Sequence, residues 1–215
     1  MIGLVIFDMD GVLVDSETIA NRIFHEILAA HGVPLTLAQT TKRYVGRSMK
    51  SAVADIETSF GIVLPADFIE RERAQVLEAY KRELKPVAGV PELLENFAWP
   101  FCLASSSDPA RIAASLKLCG IDRFFEGRTF SAAQVANGKP APDLFLFAAR
   151  QMGVAPADCR VVEDTLAGLA AAKAAGMKAF AYAGAGHTER AELAATGAVL
   201  IDRMADLATA LRADG

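Results

Sequence analysis

Two aspartates, Asp8 and Asp10, follow directly on the apolar run Ile2-Gly3-Leu4-Val5-Ile6-Phe7, with Gly11 after them. Like charges this close repel, and a bound cation is the usual way of offsetting them. The pair is therefore ready for a metal. Three further stretches carry polar groups of the kind that hold anions or cations: Ser105-Ser106-Ser107, Gly138-Lys139-Pro140 and Glu163-Asp164. Each has a plain structural alternative. Asp-x-Asp-Gly suits a turn, and the serines ahead of Asp108-Pro109 suit a helix cap. Lys139 before a proline suits a surface loop, and Glu163-Asp164 suits the N-terminus of a helix. Their common placement separates the two readings.

All but Lys139 stand where a strand should end. The run before Asp8 reads as a buried strand of a parallel sheet, and ligands of such sheets bind at the carboxyl ends of the strands. Phe101–Ala104 is a second strand, ending at Ser105. Arg160–Val162 is a third, ending at Glu163-Asp164. Lys178–Tyr182 and Ala198–Ile201 complete the strand candidates. Helices are expected from Val90 to Phe97, Asp108 to Leu118, Pro142 to Met152 and Thr165 to Ala175, with Gly120, Gly153 and Gly176 closing the last three. Alternating strands and helices imply an α/β fold, a Rossmann-like parallel sheet in three layers.

Residues 15–86 break that alternation. Ile19, Ile23, Phe24, Ile27 and Leu28 recur at helical spacing up to Gly32-Val33-Pro34, and further helical stretches follow near 36–44, 48–60 and 65–84. A helical block of this length exceeds one crossover between neighbouring strands. It reads as an inserted α-helical cap domain, 15–86, in a catalytic core formed by 1–14 and 87–215.

The bulk composition narrows the setting. The 215 residues are 53% hydrophobic and 22% charged, as in a globular protein. A net charge of −4 gives no support to nucleic-acid binding. No apolar run approaches a membrane span, and no signal-peptide pattern precedes the first strand. Cys102, Cys119 and Cys159 share no ligand spacing, which suits reduced cysteines in the cytoplasm. His25, His31 and His187 share none either, and ordinary structural roles are expected for them. Within 36–54 the charged residues are all basic: Lys42, Arg43, Arg47 and Lys50. They are a solvated face or a patch that attracts an anionic substrate.

Asp8-Met9-Asp10-Gly11-Val12-Leu13-Val14-Asp15-Ser16, Leu103-Ala104-Ser105-Ser106-Ser107, Gly138-Lys139-Pro140-Ala141-Pro142-Asp143 and Val162-Glu163-Asp164-Thr165-Leu166-Ala167-Gly168 resemble, in order, the four motifs of the haloacid dehalogenase-like superfamily of phosphatases and phosphomutases. Within it the chain is most similar to the β-phosphoglucomutase-like branch of sugar-phosphate phosphatases. The resemblance implies Mg2+, held by the side chains of Asp8 and Asp164, the carbonyl of Asp10 and, directly or at one remove, Glu163. It implies Asp8 as a nucleophile forming an aspartyl-phosphate and Asp10 as the general acid and base. Alternate residues of an extended strand share a face, which would suit this pair. Lys139, the Ser105 hydroxyl and the Ser106 amide would hold the phosphoryl group. Gly46 would be a turn or hinge of the cap, with Arg47 and Lys50 facing the substrate's polar end.

The expected function is Mg-dependent hydrolysis of a small phosphorylated metabolite, a sugar or sugar-acid phosphate, by a monomer or weak homodimer. The alternative is a phosphomutase. Against it, Ala20, Val45 and Asp108 stand where the mutase pattern has histidine, lysine and lysine. A minor alternative is a receiver-like phosphoacceptor domain, for which Asp55 is the only aspartate at a comparable distance, and Asp55 falls in an expected helix.

Overall fold

Strand β1 (Leu4–Phe7) is buried along its whole length, which explains why its sequence is continuously apolar rather than alternating. Leu4 and Ile6 join a core with Leu144, Phe145, Ala148, Ala171 and Ala172. Phe7 packs on Phe97 and Phe101, with ring centroids 5.4 and 6.1 Å away. Full burial of side chains of this size stabilises by about 1.5–3 kcal/mol each.

The computed structural model describes residues 1–45 and 49–214. After β1 come four helices, α1 (Ser16–Ala30), α2 (Leu37–Tyr44), α3 (Met49–Phe60) and α4 (Phe68–Glu83). Helices and strands then alternate: α5 (Val90–Glu95), β2 (Phe101–Ser105), α6 (Pro109–Leu118), β3 (Thr129–Ser131), α7 (Asp143–Gln151), β4 (Cys159–Glu163), α8 (Leu166–Ala174), β5 (Lys178–Tyr182), α9 (Arg190–Ala195), β6 (Val199–Ile201) and α10 (Leu207–Asp214). The fold is α/β, with a six-stranded parallel sheet in the order β3-β2-β1-β4-β5-β6.

The chain divides into two units, Met1–Asp15 with Lys85–Gly215, and Ser16–Leu84. The second is helical and has its own core. The α1 stripe Ile19, Ile23, Phe24, Ile27 and Leu28 is buried, and Phe24 meets Tyr44 edge-on at 5.7 Å. Thr36 caps α2 with a reciprocal Gln39 bond, which satisfies two otherwise orphaned backbone donors. Asp55 lies in α3 and accepts hydrogen bonds from Arg43 Nε at 2.8 Å and Tyr44 Oη at 3.0 Å.

Strand order reverses at β1. The chain moves from β1 to β2 and β3 on one side, then β4 returns to β1's other side. Register brings Phe7 level with Leu103 of β2 and Val162 of β4. Asp8, Ser105 and Glu163 consequently leave the sheet at one edge, beside the switch point where α/β sheets open a crevice. The pattern of residues does not announce β3, α9 or α10. β3 has three residues with one apolar side chain, and the two helices bury only Leu193 in the first and Leu207 and Leu211 in the second. All three cysteines are free, and among the described residues no helix is long and apolar enough to cross a membrane.

Candidate active site

β1 delivers Asp8 to the edge of the sheet, where Asp8 N–H donates to Val162 O at 3.0 Å. The chain then turns instead of continuing the strand. Leu13 and Val14 N–H both donate to Met9 O, and Gly11 N–H donates to Val14 O. Different groups hold Asp8 and Asp10. Gly11 makes the turn at φ +80°, and a Cβ there would sit 1.9 Å from Asp164 Oδ2. Only glycine allows both the backbone angle and the close approach.

Lys139 Nζ donates to Asp8 Oδ1 at 2.5 Å and to Glu163 Oε1 at 2.7 Å, with Ala104 O at 3.4 Å. All three charged side chains are nearly inaccessible, at 6% for Lys139, 8% for Asp8 and 1% for Glu163. Glu163 Oε2 accepts from the N–H groups of Asp164 and Thr165 and from Thr165 Oγ1, at 2.8–2.9 Å. Thr165 also caps α8 through Gly168 N–H. A Cβ on Gly168 would lie 1.8 Å from Glu163 Oε1, so this glycine makes room for the carboxylate.

Burial sets the electrostatics. It raises the Asp8 carboxyl to about 7; Lys139 opposes the rise, and Glu163 and Asp10 add to it. Burial would also raise Glu163, but Lys139 and the Thr165 donors outweigh it and hold Glu163 below the ordinary carboxylate range. Burial would lower Lys139, but the two carboxylates outweigh it and keep the ammonium charged.

Asp8, Glu163 and Asp164 are all buried, with one ligand oxygen from each within 4.8 Å of the others. The donors are all oxygens, which fits a hard divalent cation. Such an ion would also offset the repulsion that raises Asp8. Asp10's carboxylate is outside this group. It accepts from Ser107 Oγ at 2.8 Å and from Arg111 Nη2 at 3.0 Å.

Of the residues expected to hold phosphate, Ser105 is buried at the end of β2 and its Oγ accepts from Ser107 N–H at 3.0 Å. Ser106 is exposed beside it. Ser131, at the end of β3, donates to Ser107 O at 2.7 Å and pins this loop. Lys50 is exposed on α3, and Gly46 and Arg47 lie outside the described residues. The sequence pattern assigns neither Ser107 nor Arg111 to Asp10. The Ser-Ser-Ser run was a signal for the first; nothing in the sequence marked the second. His187 was expected in an ordinary structural role. Its side chain is 3% exposed, with Nε2 3.4 Å from Asp164 Oδ2, and burial lowers its pKa.

The profile of haloacid dehalogenase-like hydrolases matches residues 2–176, and the chain belongs to that family. It is 29% identical over 189 residues to the 6-phosphogluconate phosphatase of Escherichia coli K12, covering 87% of this chain and 86% of that one. A conserved haloacid dehalogenase-like protein of unknown function from Agrobacterium tumefaciens superimposes with a TM-score of 0.93 at 34% identity, covering 100% of this chain and 99% of the other. A family hydrolase from Deinococcus radiodurans, solved with bound phosphate and sodium, gives 0.88 at 30% identity over 99% and 96% of the two chains. The protein is a phosphoric monoester hydrolase.

Proposed function

We propose that this hydrolase is a Mg2+-dependent phosphatase of a small sugar or sugar-acid phosphate, working through an aspartyl-phosphate on Asp8. The observation that carries the reading is Asp8 itself: a buried carboxylate at the switch point, with the Lys139 ammonium on one oxygen and two more buried acids alongside. The substrate class is supported by similarity to a 6-phosphogluconate phosphatase.

In this reading Asp8 attacks phosphorus and the bond to the leaving oxygen breaks. Splitting one difficult displacement into two is the benefit of a covalent intermediate. Asp10, oriented by Ser107 and Arg111, gives its proton to the leaving oxygen. Water then attacks the aspartyl-phosphate, Asp10 takes that water's proton, and inorganic phosphate departs. Lys139 keeps Asp8 oriented and places fixed positive charge beside the reacting group. Asp8, Asp164 and Glu163 would hold Mg2+, with the Asp10 carbonyl as a further oxygen donor. When bound, the ion supplies charge neutralisation between an anionic nucleophile and a dianionic substrate. The Ser105 hydroxyl and Ser106 amide are the proposed donors to the phosphoryl oxygens. Residues 15–86 are the proposed cap, with Gly46 as its hinge. Arg47 and Lys50 are proposed substrate contacts, on the basic run and its resemblance to the family's cap specificity loop.

The test is phosphate release by the purified protein from phosphorylated sugars, sugar acids and nucleotides, with and without EDTA, plus a mutase assay with a bisphosphate activator. Sugar or sugar-acid phosphates should be the best substrates, and chelation should stop turnover until Mg2+ is returned. Full activity after thorough chelation would remove the metal, and preference for nucleotides would remove the substrate class. Unchanged KM values in Arg47→Ala would remove Arg47 as a contact.

A further inference from the structure

Beyond β5 the chain runs through Gly184-Ala185-Gly186 and turns a histidine back into the protein. His187 is 97% buried by its side chain, yet neither Nδ1 nor Nε2 has a hydrogen-bond partner among the described residues. An imidazole buried this way gives up its water and receives nothing in return, so its position calls for another reason. Its surroundings supply one. Nε2 faces Asp164 Oδ2 at 3.4 Å, a few tenths of an ångström beyond an ordinary N–H···O distance. The same Oδ2 rests on the bare Cα of Gly11, and the His187 ring closes the other side of that contact, with Cε1 3.2 Å from where a Gly11 Cβ would stand. Asp164 is thus wedged between a glycine and an imidazole edge.

We propose that His187 is a positioning residue of the metal site, its Nε2–H steering Asp164 Oδ2 so that the carboxylate is held in one orientation toward the cation. His187 is not itself a ligand: the group whose donor atoms converge within 4.8 Å is Asp8, Glu163 and Asp164. The ring needs no charge for this task, because neutral imidazole carries one N–H. At 3.4 Å the pair needs alignment of the N–H with Oδ2 rather than a large movement. Outer partners of this kind set the orientation of a ligating carboxylate, and losing one costs about 10–100-fold in metal affinity. The proposal rests on the reading of Asp8, Glu163 and Asp164 as a cation site.

The experiment is calorimetric titration of the metal-free protein with Mg2+, in parallel with Mn2+ followed by electron paramagnetic resonance. Wild type is compared with His187→Phe, which keeps a ring but has no donor, and His187→Gln, which returns an amide N–H close to the place of Nε2. The Phe variant should bind both ions about tenfold more weakly or worse. The Gln variant should recover most of that loss. The Mg2+ concentration for half-maximal turnover should rise in the Phe variant more than kcat falls at saturating Mg2+. Affinity in the Phe variant within about twofold of wild type would overturn the proposal, since outer partners ordinarily contribute more. Equal weakening in the Phe and Gln variants would overturn it too, since packing and not the donor would then be responsible. Failure of wild type to bind either ion would overturn it together with the reading of the site on which it rests.

Discussion

Lys139 and Asp8 are 131 residues apart in the chain and 2.5 Å apart at Nζ and Oδ1. The same ammonium reaches Glu163, so a loop residue ties together the ends of β1 and β4, the two parallel strands between which the strand order reverses. The tie has an electrostatic purpose. Asp8 and Glu163 repel one another in a buried place, and Lys139 answers both, yet Asp8 is still raised to about 7. One ammonium leaves Asp8 incompletely stabilised as an anion, which is the state a divalent cation would correct.

Replacing Lys139 by methionine should therefore destabilise the protein as well as inactivate it. Removing one partner of a buried ion pair leaves the other charge without compensation and costs about 3–5 kcal/mol. Urea unfolding of Lys139→Met against wild type, both in EDTA, measures this. Saturating Mg2+ should return part of the loss, because binding to the folded state stabilises it by mass action. Equal midpoints in EDTA would show that Lys139 is not needed to hold the acids together.

Asp8→Asn should behave oppositely. With Asp8 as the proposed nucleophile, turnover should fall by at least about 10^3-fold. The substitution also removes a carboxylate that burial disfavours in its charged form, so metal-free Asp8→Asn should melt no lower than wild type above neutral pH. Phosphate release and thermal melting on the same preparation check both halves. Appreciable residual turnover would exclude Asp8 as the attacking group.

The strand-end acids were readable from sequence because β1 and β4 are short, apolar and end abruptly at charge, and because Lys139 sits in a recognisable Gly-Lys-Pro loop. The partners of Asp10 and Asp164 were not. Arg111 lies on α6, where an arginine ordinarily faces solvent, and only the placement of β2 beside β1 brings it to Asp10. His187 follows a glycine-rich turn after β5, with no spacing relation to Asp164; the contact exists because β5 pairs with β4. The same pairing could not be foreseen for β3, whose Ser131 fastens the serine loop from a strand with a single apolar residue. Motifs carry the groups that react. The groups that orient them depend on strand neighbours, which a linear pattern does not encode.

Ser107 and Arg111 hold the two oxygens of Asp10, and their removal should affect rate more than stability. Arg111 is 33% exposed and Asp10 17%, so this part-buried pair should contribute less to folding than the buried Lys139 pair does. With Asp10 as the proposed acid–base group, misorienting it costs about 10–100-fold in rate. Ser107→Ala and Arg111→Ala should each lower kcat by that order. The double variant should lose less than the product of the single losses, because both act on one carboxylate. Steady-state kinetics with the best substrate decides this; unchanged kcat in both single variants would show that Asp10 needs neither partner.

The raised Asp8 carboxyl also fixes a sign for the pH dependence of stability. Its ordinary value is 3.8 and its value in the folded protein is about 7. Between these limits the folded state keeps a proton that the unfolded chain has released, so stability due to this group declines as pH rises. The contribution is complete below about pH 3.8 and lost as pH passes 7. A cation held by ionised Asp8 competes with that proton, so Mg2+ should bind more tightly as pH rises through 7 and should expel a proton when it binds below that pH. Two measurements follow. Thermal midpoints of the metal-free protein should fall more steeply between pH 5 and pH 7 (about the interval set by linkage) in wild type than in Asp8→Asn, which has no proton to lose. Mg2+ titrations near pH 6.5 in buffers of different ionisation enthalpy should give heats that vary with the buffer for wild type and vary less for Asp8→Asn. Identical slopes and buffer-independent heats in the two proteins would show that Asp8 is already ionised in the metal-free fold, with Lys139 alone sufficient to keep it so.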